Sequence, residues 1–363
     1  MSESDEPLLD ATTGLLPPLL TALEVLGYVA RHLHPPELAT LVAGLAPFAE
    51  PLESGLARFR AVAWPDHLTL FRTQAEAAAE FALRALEGLE ACQERSNPLL
   101  GAYTALGYSA RALEALYPVA QMLGPVSRFF LSEDRREDPV LAARIGGADA
   151  AREEVGVMHA GNATGERGGF SLYVPEYYDP GDALPLVVAL HGGSGHGRSF
   201  LWTWLRDARS RGAILATPTS REDTWSLLGP DQDTANLHAI VEHLCGLWSV
   251  DQGRVLLTGM SDGATFSYLS GLRSDSPFTH LAPISGTFHP FLLEVADAER
   301  LKDLPVYLVH GALDWMFPVD VARLARDTLT AAGARVHYEE VADLSHTYPR
   351  EQNARILDWL LDG

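Results

Sequence analysis

The sequence predicts an α/β fold, a mostly parallel and doubly wound sheet, preceded by an all-α N-terminal domain. Short, nearly continuous apolar runs typical of buried parallel strands recur in the C-terminal part, and helical segments separate most of them. Residues 15–145 instead show only helical spacing, without strand-like alternation. A glycine-flanked serine, Ser261, stands where one apolar run gives way to a helix-like segment.

The apolar runs predict parallel strands at residues 186–190, 213–216, 255–257, 280–284, 306–309 and 336–341. Residues 155–159 and 170–174, joined by a glycine-rich turn, predict an antiparallel pair at the sheet edge. Helices are expected near residues 202–211, 234–248, 264–272, 319–332 and 350–361.

The predicted domains are a helical domain at residues 14–148 and a catalytic domain at residues 149–363. Residues 1–13 are polar and acidic, and we expect a disordered tail there. A long helix from Asp66 to about Arg95 and a second from Asn97 to about Gln121 should form a hairpin. Their apolar stripes could form a bundle core, a homodimer interface or a cap over the catalytic domain.

The composition argues against several kinds of partner. Hydrophobic residues make up 47% of the chain and charged residues 21%, which is typical of soluble globular proteins. The formal net charge of −21 disfavours nucleic acids and anionic membrane surfaces. No apolar run approaches the roughly 18 to 20 residues that a membrane helix needs, and the N-terminus is acidic where a secretory signal is basic. We therefore expect a cytoplasmic protein without a membrane span.

No metal or other cofactor is expected. Cys92 and Cys245 are the only cysteines and lie far apart in the sequence, without the spacing of a zinc site. His32 and His34 are two residues apart, a spacing that points them to different faces of a helix.

The stretch Gly259-Met260-Ser261-Asp262-Gly263 is typical of a nucleophile elbow. A serine at the tip of a sharp strand-to-helix turn adopts a strained backbone conformation that exposes its hydroxyl. The flanking glycines leave room for the crossing backbones. The pattern G-x-S-x-G is weak alone, but the flanking strand and helix are those that the motif requires.

Three further features follow other predicted strands, at the sheet edge where open α/β folds place their sites. The glycine-rich segment His191-Gly192-Gly193-Ser194-Gly195 follows the run at 186–190, Asp314 follows the run at 306–309, and His346 follows the last run. The chain order Ser261, Asp314, His346 is that of α/β-hydrolase triads. On these motifs, residues 150–363 resemble serine esterases of the α/β-hydrolase superfamily, of the polyhydroxyalkanoate depolymerase, feruloyl esterase and phospholipase/carboxylesterase type.

The residue types indicate an acyl-enzyme mechanism. Ser261 is the expected nucleophile, His346 the base that takes its proton, and Asp314 the group that orients the imidazole. The resemblance implies an oxyanion hole made by the backbone N–H groups of Asp262 and Gly193, with Ser194 as the neighbouring alternative.

An apolar acyl or aryl ester, small or polymeric, is the expected substrate. Aromatic residues cluster in the loops and helix starts beside the expected site. Trp225, Phe288 and Trp315 among them are the candidate substrate contacts, with a packing role as the alternative for each. Two alternatives stay open at this point. The same triad could serve a peptidase or an acyltransferase, or the protein could be a catalytically idle interaction protein.

Overall fold

The protein is described by a computed structural model that covers residues 6–149 and 151–362. The chain forms two compact units, Met1–Leu131 and Ser132–Gly363. The division falls earlier than the predicted domain boundary at residue 148. Ser132 begins the second unit because its N–H donates to Ser210 Oγ at 2.8 Å, while its hydroxyl accepts a hydrogen bond from Arg211.

The first unit is entirely helical where the structure describes it. Its helices are α1 (Glu6–His32), α2 (Leu38–Ala43), α3 (Ala46–Ala61), α4 (Thr69–Glu90), α5 (Pro98–Leu116) and α6 (Gly124–Phe129). Short 3₁₀ turns lie at Pro35–Glu37, Asp66–Leu68, Ala91–Glu94 and Tyr117–Gln121. The predicted hairpin corresponds to α4 and α5, which pack along each other. The side chain of Asn97 caps α5 by accepting the N–H of Leu100 at 3.1 Å, and Pro98 occupies the first turn.

The expectation of a disordered tail is wrong for residues 6–13, which form the first turns of α1, whereas residues 1–5 lie outside the described residues. Ala11 is buried, and the acidic residues Glu6 and Asp10 near the start of α1 favour its positive dipole end. The acidic residues in this segment therefore mark the start of a helix and not a disordered tail.

By length and composition α1 could also cross a membrane, contrary to the expectation from apolar runs alone. One such helix is weak evidence of a membrane span, because the core helix of a soluble protein and a signal sequence can have the same length and composition. The most apolar 18-residue window of α1 is 39% buried.

The second unit alternates strands and helices. Its strands are β1 (Gly156–Ala160), β2 (Phe170–Val174), β3 (Leu184–Leu190), β4 (Ile214–Pro218), β5 (Val250–Met260), β6 (His280–Ile284), β7 (Pro305–Gly311) and β8 (Arg335–Val341). Its helices are α7 (Pro139–Gly146), α8 (Gly197–Arg211), α9 (Asp233–Leu247), α10 (Asp262–Gly271), α11 (Leu292–Val295), α12 (Ala298–Leu301), α13 (Asp320–Ala331) and α14 (Glu351–Asp362). A further 3₁₀ turn lies at Glu133–Arg135.

The strands form one sheet in the order β1-β2-β4-β3-β5-β6-β7-β8. β1 pairs with β2 and β2 with β4 in antiparallel fashion, and every other neighbouring pair is parallel. The predicted mostly parallel sheet with an antiparallel edge is thus confirmed. β4 and β6 are buried along their whole length, as strands covered on both faces must be. β5 begins at Val250, earlier than predicted, because Asp251, Gln252, Gly253 and Arg254 interrupt the apolar pattern from which the strand was predicted.

A polar cluster joins α8 to α14 inside this unit. The amide Nδ2 of Asn353 donates to Thr203 O at 2.9 Å and to Asp207 Oδ2 at 3.3 Å, and the Tyr348 hydroxyl donates to Asn353 Oδ1 at 2.8 Å. Burial raises the pKa of Asp207 to about 6, although Arg211 opposes the shift. The cluster lies just after His346, so it anchors the chain on which that histidine stands.

Asp207→Asn should stabilise the protein more at pH 8 than at pH 4. The folded state binds the Asp207 proton more tightly than the unfolded chain does. The protonated carboxyl therefore contributes stability below about pH 4, and this contribution is lost as the pH rises through about 6. The variant cannot titrate, and the difference between the two proteins in free energy of unfolding should grow by about 2–3 kcal/mol over this range. Urea unfolding at both pH values measures it, with the exposed Asp182→Asn as control. An equal difference at both pH values would contradict the expectation.

Candidate active site

Ser261 lies at the turn between β5 and α10. Its backbone angles are φ 55° and ψ −119°, a strained conformation that L-residues adopt rarely and functional serines adopt at such turns. Its hydroxyl makes no capping bond to α10, which leaves it available for another partner. A Cβ at Gly263 would lie 2.5 Å from His191 O, and one at Gly259 would lie 2.6 Å from the Gly263 carbonyl. Only glycine fits either position.

The structure brings the side chains of Ser261, His346 and Asp314 into one hydrogen-bonded chain. His346 Nε2 lies 3.0 Å from Ser261 Oγ, and His346 Nδ1 lies 2.9 Å from Asp314 Oδ2. All three residues are buried. Asp314 follows β7 and His346 follows β8, so residues far apart in sequence meet at the carboxyl ends of parallel strands.

Asp314 is held as a carboxylate. Burial acts to raise its pKa, but hydrogen bonds from His346 and from the Phe317 N–H outweigh burial, and the pKa lies below its usual value. A carboxylate can only accept, so Nδ1 of His346 carries the proton and Nε2 presents its lone pair to the Ser261 hydroxyl. This tautomer is the one in which the imidazole can take a proton from Ser261.

The three backbone N–H groups expected to bind an oxyanion differ in whether they already make a hydrogen bond. The N–H of Ser194 donates to Asp223 O at 2.9 Å, so it is already occupied. The N–H of Gly193 has no acceptor within the part of the chain that the structure describes. Asp262 is the first residue of α10, where N–H groups have no partner inside the helix. Among the described residues, Gly193 and Asp262 are therefore the two expected donors whose N–H groups have no backbone acceptor.

The side chain of Asp262 does more than favour the helix dipole. Its Oδ2 accepts the Thr224 hydroxyl at 2.5 Å, and a Cβ at Gly193 would lie 2.7 Å from the same oxygen. Asp262 therefore connects the start of α10, the glycine-rich segment and the loop after β4. Sequence reasoning missed Thr224, because a residue 38 positions away has no local pattern linking it to Asp262.

His191 and Trp225 hold the glycine-rich segment in place through hydrogen bonds. His191 Nε2 accepts the N–H of Ser220 at 3.1 Å, and Nδ1 donates to Gly192 O at 2.7 Å. Burial lowers the pKa of His191 to about 4, so the ring is neutral. The indole Nε1 of Trp225 donates to His191 O at 2.7 Å, and its ring stacks on Phe266 at 5.5 Å.

Two of the three predicted substrate contacts are packing residues instead. Trp225 is 2% exposed and is engaged by His191 and Phe266, while Phe288 is 4% exposed and packs edge-on against Tyr268 at 5.1 Å. Both belong to the hydrophobic core of the second unit. Trp315 differs, since it is 46% exposed and its ring centre lies 6.4 Å from that of His346. Burial in the core thus overturns the prediction for Trp225 and Phe288.

Among the side chains that the structure describes, at residues 6–149, 151–293 and 296–362, there is no group of three or more His, Cys, Asp or Glu able to hold a metal ion.

Comparison with known proteins shows which enzymes this unit is similar to. Residues 228–361 match the phospholipase/carboxylesterase family model, and they include all three members of the hydrogen-bonded chain. The second unit has an α/β-hydrolase fold. A probable feruloyl esterase C of Aspergillus terreus is 29% identical to this chain over 159 residues, 42% of this chain and 56% of that protein.

A second relative is also named as an esterase. A bifunctional acetylxylan esterase/xylanase of Neocallimastix patriciarum is 25% identical over 196 residues, 52% of this chain and 27% of that protein. The chain therefore spans little more than half of one of these curated relatives and about a quarter of the other. The crystal structure of a thermostable esterase aligns with a TM-score of 0.47 and 20% identity, covering 57% of this chain and 62% of that one.

Proposed function

We propose that the hydrolase unit cleaves carboxylic esters through an acyl-enzyme formed on Ser261. The observation that carries the proposal is the hydrogen-bonded chain from Asp314 Oδ2 through His346 to Ser261 Oγ, with the serine in a strained turn and its hydroxyl making no capping bond to α10. The match of residues 228–361 to the phospholipase/carboxylesterase family model and the similarity to proteins named as esterases also support ester hydrolysis.

The proposed reaction has two halves. As Ser261 Oγ attacks the ester carbonyl carbon, His346 Nε2 takes the hydroxyl proton, and the carbonyl oxygen becomes an oxyanion. The imidazolium then gives this proton to the departing alkoxide, which leaves as the alcohol. A water molecule repeats the sequence on the acyl-enzyme: His346 takes its proton, the acid is released, and the proton returns to Ser261. Asp314 stays ionised and stabilises the imidazolium in both halves.

The N–H groups of Gly193 and Asp262 are the proposed oxyanion donors. Each such donor contributes about 2.7–4 kcal/mol to lowering the barrier in enzymes of this kind. The Thr224 hydroxyl matters here because the Asp262 carboxylate carries a negative charge close to where the oxyanion would form. By donating a hydrogen bond to Asp262 Oδ2, the Thr224 hydroxyl holds the carboxylate in place and partly offsets its repulsion of the oxyanion.

An ester with an apolar acyl or aryl group is the proposed substrate class. The half-exposed indole of Trp315 and the ring of Phe317, whose centre lies 5.3 Å from that of His346, border the nucleophile with aromatic surface. Aromatic walls bind flat or aliphatic groups and disfavour charged ones. Relatives named feruloyl esterase fit an aryl acid, though acetylxylan esterase fits a short acyl group.

Turnover of p-nitrophenyl acetate and butyrate, together with labelling by a fluorophosphonate probe, tests the proposal. We expect hydrolysis of both esters, loss of activity in proportion to labelling, and unchanged rates in EDTA, since every proposed step uses this chain's own side chains. A folded sample that neither turns over an ester nor takes up the probe would favour an interaction protein. Loss of activity in EDTA, restored by zinc, would indicate a metallohydrolase.

A further inference from the structure

A second histidine lies directly behind the hydrogen-bonded chain. His310, near the carboxyl end of β7, is 0% exposed and has no part in the proposed reaction. Its Nε2 donates to Phe317 O at 2.8 Å and lies 3.5 Å from Asp314 Oδ2. Its Nδ1 is buried without a hydrogen-bond partner among the residues that the structure describes.

Packing alone does not explain a histidine at this position. A buried polar atom without a partner is costly, and an apolar side chain of similar size would avoid that cost. Burial lowers the pKa of His310, so the ring is neutral, and the bond to Phe317 O places its single proton on Nε2. What the imidazole supplies over an apolar group is this one N–H.

The Phe317 peptide connects His310 to the catalytic side chains. Its carbonyl accepts the proton of His310, and its N–H donates to Asp314 Oδ1 at 2.8 Å. The Phe317 ring meets the His346 ring edge-on, with an angle of 84° between their planes. With Oδ1 held by backbone N–H groups, Oδ2 is left to face His346 Nδ1.

We propose that His310 is a positioning residue for the triad, which fixes the Phe317 peptide and through it the orientation of the Asp314 carboxylate. The inference rests on the proposed ester hydrolysis at Ser261. His310 touches neither substrate nor nucleophile, so its effect passes entirely through Phe317 and Asp314. Removing its N–H frees the peptide to turn, and the carboxylate then stabilises the imidazolium of His346 less well.

The charged and titratable groups around His310 do not provide a competing explanation. Asp314 and His346 face it from the catalytic side, and Glu340 lies beside it in the register of β7 and β8. The Glu340 carboxylate is paired with Arg323 at 2.7 Å. The Nε2–H of His310 is therefore directed at Phe317 O and Asp314, not at the β8 carboxylate.

Steady-state kinetics of His310→Leu and His310→Gln on p-nitrophenyl butyrate test the proposal. In the leucine variant we expect kcat to fall about tenfold with KM nearly unchanged, since a transition-state interaction is weakened. The pH at which kcat reaches half its plateau should fall, because an imidazolium with a poorly held carboxylate loses its proton more readily. Glutamine can place an amide N–H near the position of Nε2, so His310→Gln should recover most of kcat and the original pH midpoint.

Matched controls separate positioning from folding. His280 is a buried histidine at the start of the neighbouring strand β6, so His280→Leu is the control for removing a buried imidazole. This variant should leave kcat unchanged. If His310→Leu does not fold, His310→Asn replaces it, because its shorter amide cannot reach the Nε2 position and should behave as leucine does. Wild-type kcat and pH midpoint in the leucine or asparagine variant would overturn the proposal, as would glutamine being as impaired as leucine. Failure of the ester hydrolysis itself would appear separately, as an inactive wild-type protein or an active Ser261→Ala.

Discussion

Ser261→Ala is expected to lower kcat for ester hydrolysis by about a millionfold, to the background of the assay. The serine hydroxyl lies 3.0 Å from His346 Nε2, and alanine leaves no oxygen at that position to attack the carbonyl carbon. The backbone donors of Gly193 and Asp262 stay in place, so ester binding should survive the substitution. The loss should therefore appear in kcat and not in KM.

Little stability should be lost with this hydroxyl. Ser261 is held in a strained conformation, and its side chain makes no capping bond that folding would miss. The serine at position 267 offers a matched control on the same helix. It is fully buried and donates to Ala264 O at 2.6 Å. Ser267→Ala should retain hydrolysis even if its unfolding midpoint drops.

Fluorophosphonate labelling followed by peptide mapping gives an independent measurement. The probe should modify the peptide carrying Ser261 in the wild type and no residue in Ser261→Ala. Turnover in the alanine variant near that of the wild type would show that the nucleophile is another group.

Gly193→Ala is expected to lower kcat about a hundredfold while the protein stays folded. The added Cβ would lie 2.7 Å from Asp262 Oδ2, closer than real Cβ contacts allow. That oxygen belongs to a short side chain held by the Thr224 hydroxyl, so it cannot move aside freely. The glycine-rich segment must shift by several tenths of an ångström, which moves the Gly193 N–H from the oxyanion position.

The adjacent glycine provides the control for this variant. A Cβ at Gly192 would lie 3.5 Å from Ser261 Cβ and 3.6 Å from Met260 O, which are ordinary contacts. Gly192→Ala adds the same methyl group one residue earlier and should cost less than about tenfold in kcat. Equal losses in the two variants would mean that Gly193 contributes no special donor, and the oxyanion hole would have to be sought elsewhere.

The fold and the catalytic candidates were predictable because their signals are local. The alternation of apolar runs with helical segments follows from burial of parallel strands on both faces, and it is readable without knowing any contact. The elbow around Ser261 needs glycine at fixed offsets, since the backbones cross within one turn. Asp314 and His346 could be proposed because loops at the carboxyl ends of parallel strands converge, whatever the loop conformations.

Loop side chains were less predictable, since a loop has no periodicity that sets which side faces the site. Trp225 and Phe288 follow strand ends just as Trp315 does, yet the first two turn into the core and only the third is half-exposed beside His346. Ser194 and Gly193 are neighbours, and only the bond from Ser194 N–H to Asp223 O distinguishes them as donors.

The sequence by itself determined the sheet, the position of the elbow and the order of the candidate triad, because strand burial and turn stereochemistry act over a few residues. The tertiary structure alone decided which polar groups support that triad. Thr224 reaches Asp262 across 38 positions, and His310 acts on Asp314 through the Phe317 peptide. Such bonds depend on where separate loops meet in space, and no spacing in the chain records that meeting.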